Sequence, residues 1–580
     1  MSRWRLFLVG LILILAGGWL AHAVETAGGV RLSEVRYPGR SGETLSALLY
    51  RPASATTDHP APAVLVSHGY INTREMQSPF AIELARRGFV VLAIDMSGHG
   101  FSGGALGEDD GGGAEGLAYL RALPFVNRDE IGMEGHSMGG VPLNAAARAY
   151  PDGYRAMVLE GSTTPELGQV GAPSPTFPRN VEVVFGRYDE FAPLMWRVPE
   201  GRLVPTSKKL EVLFGQAGPV EPGRTYGDIA MGTARRLVVP PVDHPMEHFS
   251  FAGVGAAVNW LQTTLKGEAH PLPPSDQIWP WKEAGTLIAL IGFSVLTLGA
   301  FHAVSPRIVV AATPPARAGL GWGLGLLASA AIPALTYFPL MNLGFAFFPS
   351  RLFPQWVANQ IVVWALGSAV LGLVAGLILR RKGSPWRLTG VGAALFALAV
   401  GYGALVLTDT LFKTDFRLWV VGLKPLETPA HWRDFAAYLG LFLVAFLLMA
   451  RGLAGGVASP LRGAGAQYAA AILAAAGGFA ILVAWQYATL FTTGRLPDPK
   501  EALNAIIALQ FVPILAYIGV VAVFTWRRTG SHVAGGVLCA GLVTWYVVAG
   551  TATHWRPDWS LPKMAGLFPE RPAAVAAPPP

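Results

Sequence analysis

Eight apolar runs in the C-terminal half of the chain constrain its fold more than any other feature. They cover roughly 285–304, 318–340, 359–380, 388–411, 434–451, 467–491, 503–525 and 532–552. Crossing a bilayer as an α-helix takes about 20 predominantly apolar residues. Inside hydrocarbon the backbone must satisfy its own hydrogen bonds, and a single run does so only as a helix. The pattern predicts a transmembrane domain of about eight helices over 284–553.

The connections carry a charge bias that orients these helices. Alternate linkers hold Arg307 and Arg317; Arg380, Arg381, Lys382 and Arg387; Arg451 and Arg462; Arg527 and Arg528, without Asp or Glu. The others hold Asp415, Glu427, Asp434, Asp498, Glu501, Asp558 and Glu570 among scattered bases. Basic flanks face the cytoplasm, so the first run starts outside. The N-terminus agrees. Met1-Ser-Arg-Trp-Arg5, an apolar stretch to Leu20 and Ala21-His22-Ala23 form a basic flank, an apolar core and a small-x-small site. Residues 1–24 are expected to be a signal peptide or a retained membrane anchor. Either reading places the next domain outside the cytoplasm, in a multi-pass protein of the cell membrane. Asp409 lies close to the outer end of its span, where solvation at the interface accounts for it.

Residues 24–280 hold 21 basic and 28 acidic side chains, a net of about −7, and the rest of the chain sums to about +14. The overall +7 thus follows the membrane flanks. No basic stripe sits on a soluble element, which argues against a nucleic-acid partner. The one cysteine, Cys539, lies in an apolar run, so no intrachain disulfide forms and no thiol nucleophile is expected. Residues 269–283 read as a linker and 554–580 as a Pro/Ala-rich disordered tail.

Residues 28–268 have a different texture. Val30 to Tyr50 alternates apolar and polar residues around Gly39 and Gly42, an opening hairpin. Short apolar runs at 63–67, 89–94, 130–134, 156–160, 181–185 and 236–239 read as strands. Helical spacing appears at 79–87, 113–123, 139–150 and 251–265. Strands alternating with helices argue for an α/β domain with a mainly parallel, doubly wound sheet. The long segment 197–232 reads as a cap over the pocket.

One local pattern carries chemistry. Gly135-His136-Ser137-Met138-Gly139-Gly140 follows a strand and opens a helix, the context a G-x-S-x-G nucleophile elbow requires. The turn leaves no room beside the serine and lifts its hydroxyl to a helix N-terminus. Ser137 is the expected nucleophile. An oxyanion hole needs two backbone N–H groups, and Met138 and Tyr70 are the expected donors. His68 reads as a hydrogen-bonded loop histidine. For the acid, Asp189 follows a strand; Glu160, ending an earlier strand, is the alternative, and Glu190 reads as a surface acid. For the base, His244 comes soon after the last strand and His248 is the alternative; Asp243 reads as a loop acid. No metal motif is present, and neither a metal nor a cofactor is expected.

Residues 30–265 resemble the α/β-hydrolase family, on its dienelactone-hydrolase and prolyl-oligopeptidase side. The resemblance rests on His68-Gly69, on Asp95-Met-Ser-Gly98-His-Gly100-Phe-Ser102-Gly103, and on the stretch from Asn127 to Gly140. It implies acyl transfer to water by Ser137, His244 and Asp189. The expected function is a membrane-tethered serine esterase, carboxylesterase- or lipase-like, acting on a small-molecule or lipid acyl substrate beside the bilayer. A prolyl-oligopeptidase-type peptidase is one alternative. A transport or sensing protein with a hydrolase-like binding domain is another. The sequence leaves the oligomeric state open.

Overall fold

The computed structural model describes residues 3–306, 319–347, 349–381 and 383–551. The tail at 554–580, Arg307, Arg317, Lys382, Asp558 and Glu570 lie outside them. A long helix α1 (Arg5–Glu25) leads into an α/β half. This half contains β1 (Arg31–Pro38), β2 (Thr44–Arg51), β3 (Ala61–Ser67), α2 (Ser78–Arg86), β4 (Val90–Ile94), α3 (Gly113–Ala122) and β5 (Val126–His136). It continues with α4 (Gly140–Ala149), β6 (Ala156–Glu160), β7 (Val181–Val184), α5 (Ala192–Met195), α6 (Lys208–Phe214), β8 (Thr225–Tyr226), β9 (Arg235–Val238) and α7 (Phe251–Thr264).

The nine strands form one sheet in the order β1-β2-β4-β3-β5-β6-β7-β9-β8. The run from β4 to β9 is parallel, and β1, β2 and β8 pair antiparallel at the edges. Every residue of β3, β4, β6 and β7 is buried, as expected of strands covered on both faces. One face packs on α3 and α4 through Leu117, Leu120 and Leu143. The other packs on α2 and α7 through Phe80, Leu84, Val258 and Leu261. The segment 197–232 differs from expectation. Val204, Leu210, Leu213, Phe214 and Val220 join the core that holds Phe185 and Leu237, and β8 extends the sheet beyond β9. Its apolar side chains find more burial against the sheet than in a separate layer.

The helical half comprises α8 (Trp279–Val304), α9 (Leu320–Leu335), α10 (Tyr337–Phe345), α11 (Trp356–Ile378), α12 (Val391–Phe412), a hairpin of β10 (Phe416–Leu418) and β11 (Val421–Leu423), α13 (Pro429–Arg451), α14 (Ala464–Ile472), α15 (Gly478–Thr493), α16 (Ala502–Thr529) and α17 (Val533–Gly550). Among the described residues eight helices, α1 included and α14 and α15 joined through 473–477 into one, are long and apolar enough to cross a membrane. The pair α9–α10, bent by 41°, makes a ninth if it counts as one span. Pro339, in the first turn of α10, supplies the cause of the bend, since it has no N–H for the Leu335 carbonyl and its ring crowds that preceding turn.

Two features place the halves against each other. First, α1 lies antiparallel on α8 with backbones nearly touching. A Cβ on Gly17 would come 2.5 Å from the Gly285 carbonyl oxygen, and one on Gly292 would come 2.7 Å from the Ile14 nitrogen. Small residues permit such an approach. Second, the loops after α12 and α15 touch the α/β half. Lys424 Nζ lies 2.6 Å from Glu75 Oε2, Arg417 contacts Met76, and Arg495 Nε lies 3.1 Å from Glu200 Oε1. Asp409 is covered by this docking and is buried rather than solvated.

Candidate active site

Strand β5 runs through Gly135 and His136 into the turn that carries Ser137. Ser137 has φ +55°, a left-handed conformation costly for a serine and available here because its surroundings are built for it. A side chain on Gly139 would strike the Ser67 carbonyl oxygen at 2.3 Å, and one on Gly135 would strike Gly139. Ser162 Oγ donates to the Ser137 carbonyl at 2.6 Å and pins the turn from β6's loop. Met138 opens the helical turn that continues into α4, where the first amides have no helical partner.

The loop after β7 delivers Asp189 and the loop after β9 delivers His244. His244 Nε2 lies 2.9 Å from Ser137 Oγ, and His244 Nδ1 lies 2.7 Å from Asp189 Oδ2. Asp189 is fixed in turn by the Phe191 amide, which donates to Oδ1 at 2.7 Å. The Phe191 ring packs on the imidazole at a centroid distance of 4.7 Å. The three side chains expected at the site therefore converge in a hydrogen-bonded line. Gly69 sits beside them: a Cβ there would lie 3.0 Å from Ser137 Cβ, which brings the chain preceding Tyr70 next to the serine. His68 is buried and hydrogen-bonded. Its Nδ1 faces the Gly69 carbonyl at 2.7 Å, and its Nε2 accepts from the Met96 amide at 3.1 Å.

The alternatives lie elsewhere. His248 is buried between the His136 and Phe80 rings, and burial holds its imidazole well below the usual pKa. Glu160 is buried with no hydrogen-bond partner for either oxygen among the described residues, and burial pushes its carboxyl well above the usual range.

Three neighbours carry roles that sequence reasoning missed. Glu190, expected at the surface, is buried, and its Oε2 accepts from the His244 amide at 2.9 Å. Glu247 accepts from the Gly186 amide at 2.5 Å, lies 3.2 Å from His136 Nε2, and stands 3.7 Å from His244 Nδ1. Burial pushes both carboxyls well above the ordinary range, and burial lifts Asp243 to about 6. Asp189 is the closer partner of His244 Nδ1 by 2.7 against 3.7 Å. The third neighbour comes from the helical half: Trp419 Nε1, beside β10, donates to the Pro245 carbonyl at 3.3 Å, next to His244. His136, His244 and Glu247 also offer ligand atoms within 4.8 Å of one another. Their hydrogen bonds already account for that cluster.

Residues 62–208 match the family model described as alpha/beta hydrolase fold. This part of the chain has that fold, and the match supports a hydrolase. The uncharacterized protein PA2218 of Pseudomonas aeruginosa is 36% identical over 124 residues, which is 20% of this chain and 33% of that protein. The match thus spans about a third of that relative. Among solved structures, the Pyrococcus furiosus esterase Pf2001 aligns at 15% identity over 41% of this chain and 92% of its own, with a TM-score of 0.31. Dienelactone hydrolase from Anabaena variabilis aligns at 19% identity over 41% and 99%, with a TM-score of 0.30.

Proposed function

We propose that this chain is a membrane-tethered serine esterase whose α/β half faces the extracytoplasmic side. The observation that carries the reading is the Ser137–His244–Asp189 line, with 2.9 and 2.7 Å links, on a turn held at positive φ. In this reading Ser137 Oγ attacks the ester carbonyl while His244 Nε2 takes its proton. The oxyanion rests on the amides of Met138 and Tyr70, each such donor being worth roughly 10²–10³ in rate. The C–O bond then breaks, and His244 returns the proton to the departing alcohol. Water, deprotonated by His244, hydrolyses the acyl-serine. Asp189 holds the imidazole and stabilises its cationic form.

The membrane assignment draws on the long apolar helices, and sidedness draws on the basic linkers. Helix α1, packed along α8, fits a retained anchor better than a removed leader. The loops that touch the α/β half lie on the side where α1 ends and α8 begins, as a single extracytoplasmic face requires.

Purified full-length protein should hydrolyse p-nitrophenyl esters and prefer them to aminoacyl p-nitroanilides. Asp189→Asn should lower kcat by about 10³–10⁴-fold. Preferential amide cleavage would replace the esterase reading with a peptidase one, and full activity in the Asp189→Asn variant would remove the assigned acid.

A further inference from the structure

Two hollows lie end to end beneath the α/β half. The upper one has a polar mouth, formed by Asn72, Thr73, Arg417 and Lys424. Farther in, its wall holds Ile361, Ile507 and Phe511, with Gln510 and Tyr546 hydrogen-bonded to each other. The lower hollow shares Ile361 and Phe511 and continues past Trp364, Phe442, Phe446 and Ile518. Its polar groups are already engaged: Ser368 bonds Thr336 and Trp364 Nε1 donates to the Pro333 carbonyl. Water would find no partners there. The bases at the mouth are also matched, Lys424 by Glu75 and Arg417 by Asp415, so the mouth carries no spare charge for an anion.

The upper hollow is a short step of chain from the site. Ile71, which lines it, follows Gly69 by two residues, no more than about 7 Å of extended backbone. Ile71 has φ +56°, a conformation that β-branched residues avoid, and its side chain packs against the core of the helical half. Along α16, Ile507 in the upper hollow and Ile518 in the lower are eleven residues apart, about 16 Å. One leaflet's share of a hydrocarbon core of about 30 Å is close to that length.

We propose that these hollows bind the acyl chain of the ester, so that the substrate is a long-chain acyl lipid drawn from the outer leaflet, with its carbonyl at Ser137 and its tail between α11, α13 and α16. This deepens the esterase reading and rests on it. A polar end close in the chain to Gly69 and an interior that turns apolar within one leaflet's depth match an amphiphile's own gradient. The proposal also gives the helices a purpose beyond anchoring.

The test uses the full chain in phosphatidylcholine nanodiscs and a hexadecyl fluorophosphonate with a diazirine at its tail. Ser137 Oγ bonds to phosphorus, fluoride leaves, and the proton passes to His244. After illumination, cross-links are expected in peptides spanning 439–449 and 511–518. Phosphonylated Ser137 with cross-links confined to the α/β half would overturn the acyl site and leave the esterase standing. No phosphonylation would overturn both. In parallel, Ala365→Phe, which narrows the lower hollow, should reduce the ratio of p-nitrophenyl palmitate to butyrate kcat/KM about tenfold, because each methylene withdrawn from apolar contact is worth about a factor of four. An unchanged ratio would count against the proposal.

Discussion

Ser137 holds a backbone conformation that costs a residue of its kind about 1–3 kcal/mol. Flanking glycines and the Ser162 hydrogen bond remove the alternatives. The sequence made this position legible because strand, glycine, serine, glycine and helix are neighbours in the chain. Asp189 and His244 were legible from their places after β7 and β9. Glu190 and Glu247 were not, because an acid in a loop reads as solvated until tertiary packing buries it. Glu160 separates the roles experimentally. Glu160→Gln should keep ester turnover within about threefold, whereas Ser137→Ala should lower it by about 10⁴-fold or more. Glu160 also sets a pH dependence. Its folded pKa lies above its unfolded one, so the native state binds the extra proton. Stability is full at low pH and is lost as pH rises through the folded pKa. Glu182, pushed by burial up to about 7 from 4.5, adds the same sign across that window. In thermal unfolding, Glu160→Gln should raise Tm by about 2–4 °C at pH 8.5 and by less at pH 5; an equal effect at both would refute the buried neutral carboxyl.

The main helices and strands were legible because periodicity and long apolar runs report burial locally. Three elements were not. The β10–β11 hairpin has three-residue strands inside a charged linker, too short to show alternation. The segment around α6 was expected over the pocket, yet its leucines face the sheet. The pairing of α1 with α8 is written in glycines at seven-residue spacing, Gly10 and Gly17 against Gly285, Gly292 and Gly299, but each set is readable only beside the other. A leucine in place of Gly292 forces a side chain onto Ile14, and overpacking of this kind costs about 1–3 kcal/mol or more; Gly292→Leu should lower Tm in detergent, while Gly440→Leu, facing open space, should not. Across the docking loops, Lys424→Ala leaves Glu75 buried without its nearest cation. Arg74 at 3.3 Å still faces Glu75, so the loss is smaller than the about 3–5 kcal/mol of a wholly unpaired buried charge, yet amide exchange in residues 71–77 should accelerate in the variant; unchanged protection would mean the docking rests on other contacts.

In the whole molecule a hydrolase fold sits on the end of a helical bundle; the bundle reaches the site through Trp419, and the Ile71 loop of the α/β half reaches back onto the bundle's core. Both halves were legible from composition alone, since one is charged and alternating and the other is apolar in long runs. Their mutual arrangement was not, because contacts such as Lys424–Glu75 join residues 349 positions apart. The charge bias makes that arrangement testable. In a Cys539→Ser background, Lys500→Cys should react with an impermeant maleimide on intact cells and Arg462→Cys only after permeabilisation. The central claim, a serine nucleophile displayed outside the cytoplasm, meets its most direct test in labelling intact cells with a membrane-impermeant fluorophosphonate. The account predicts labelling of the native chain and none of Ser137→Ala. Equal labelling of the two, or labelling of the native chain only after lysis, would contradict it.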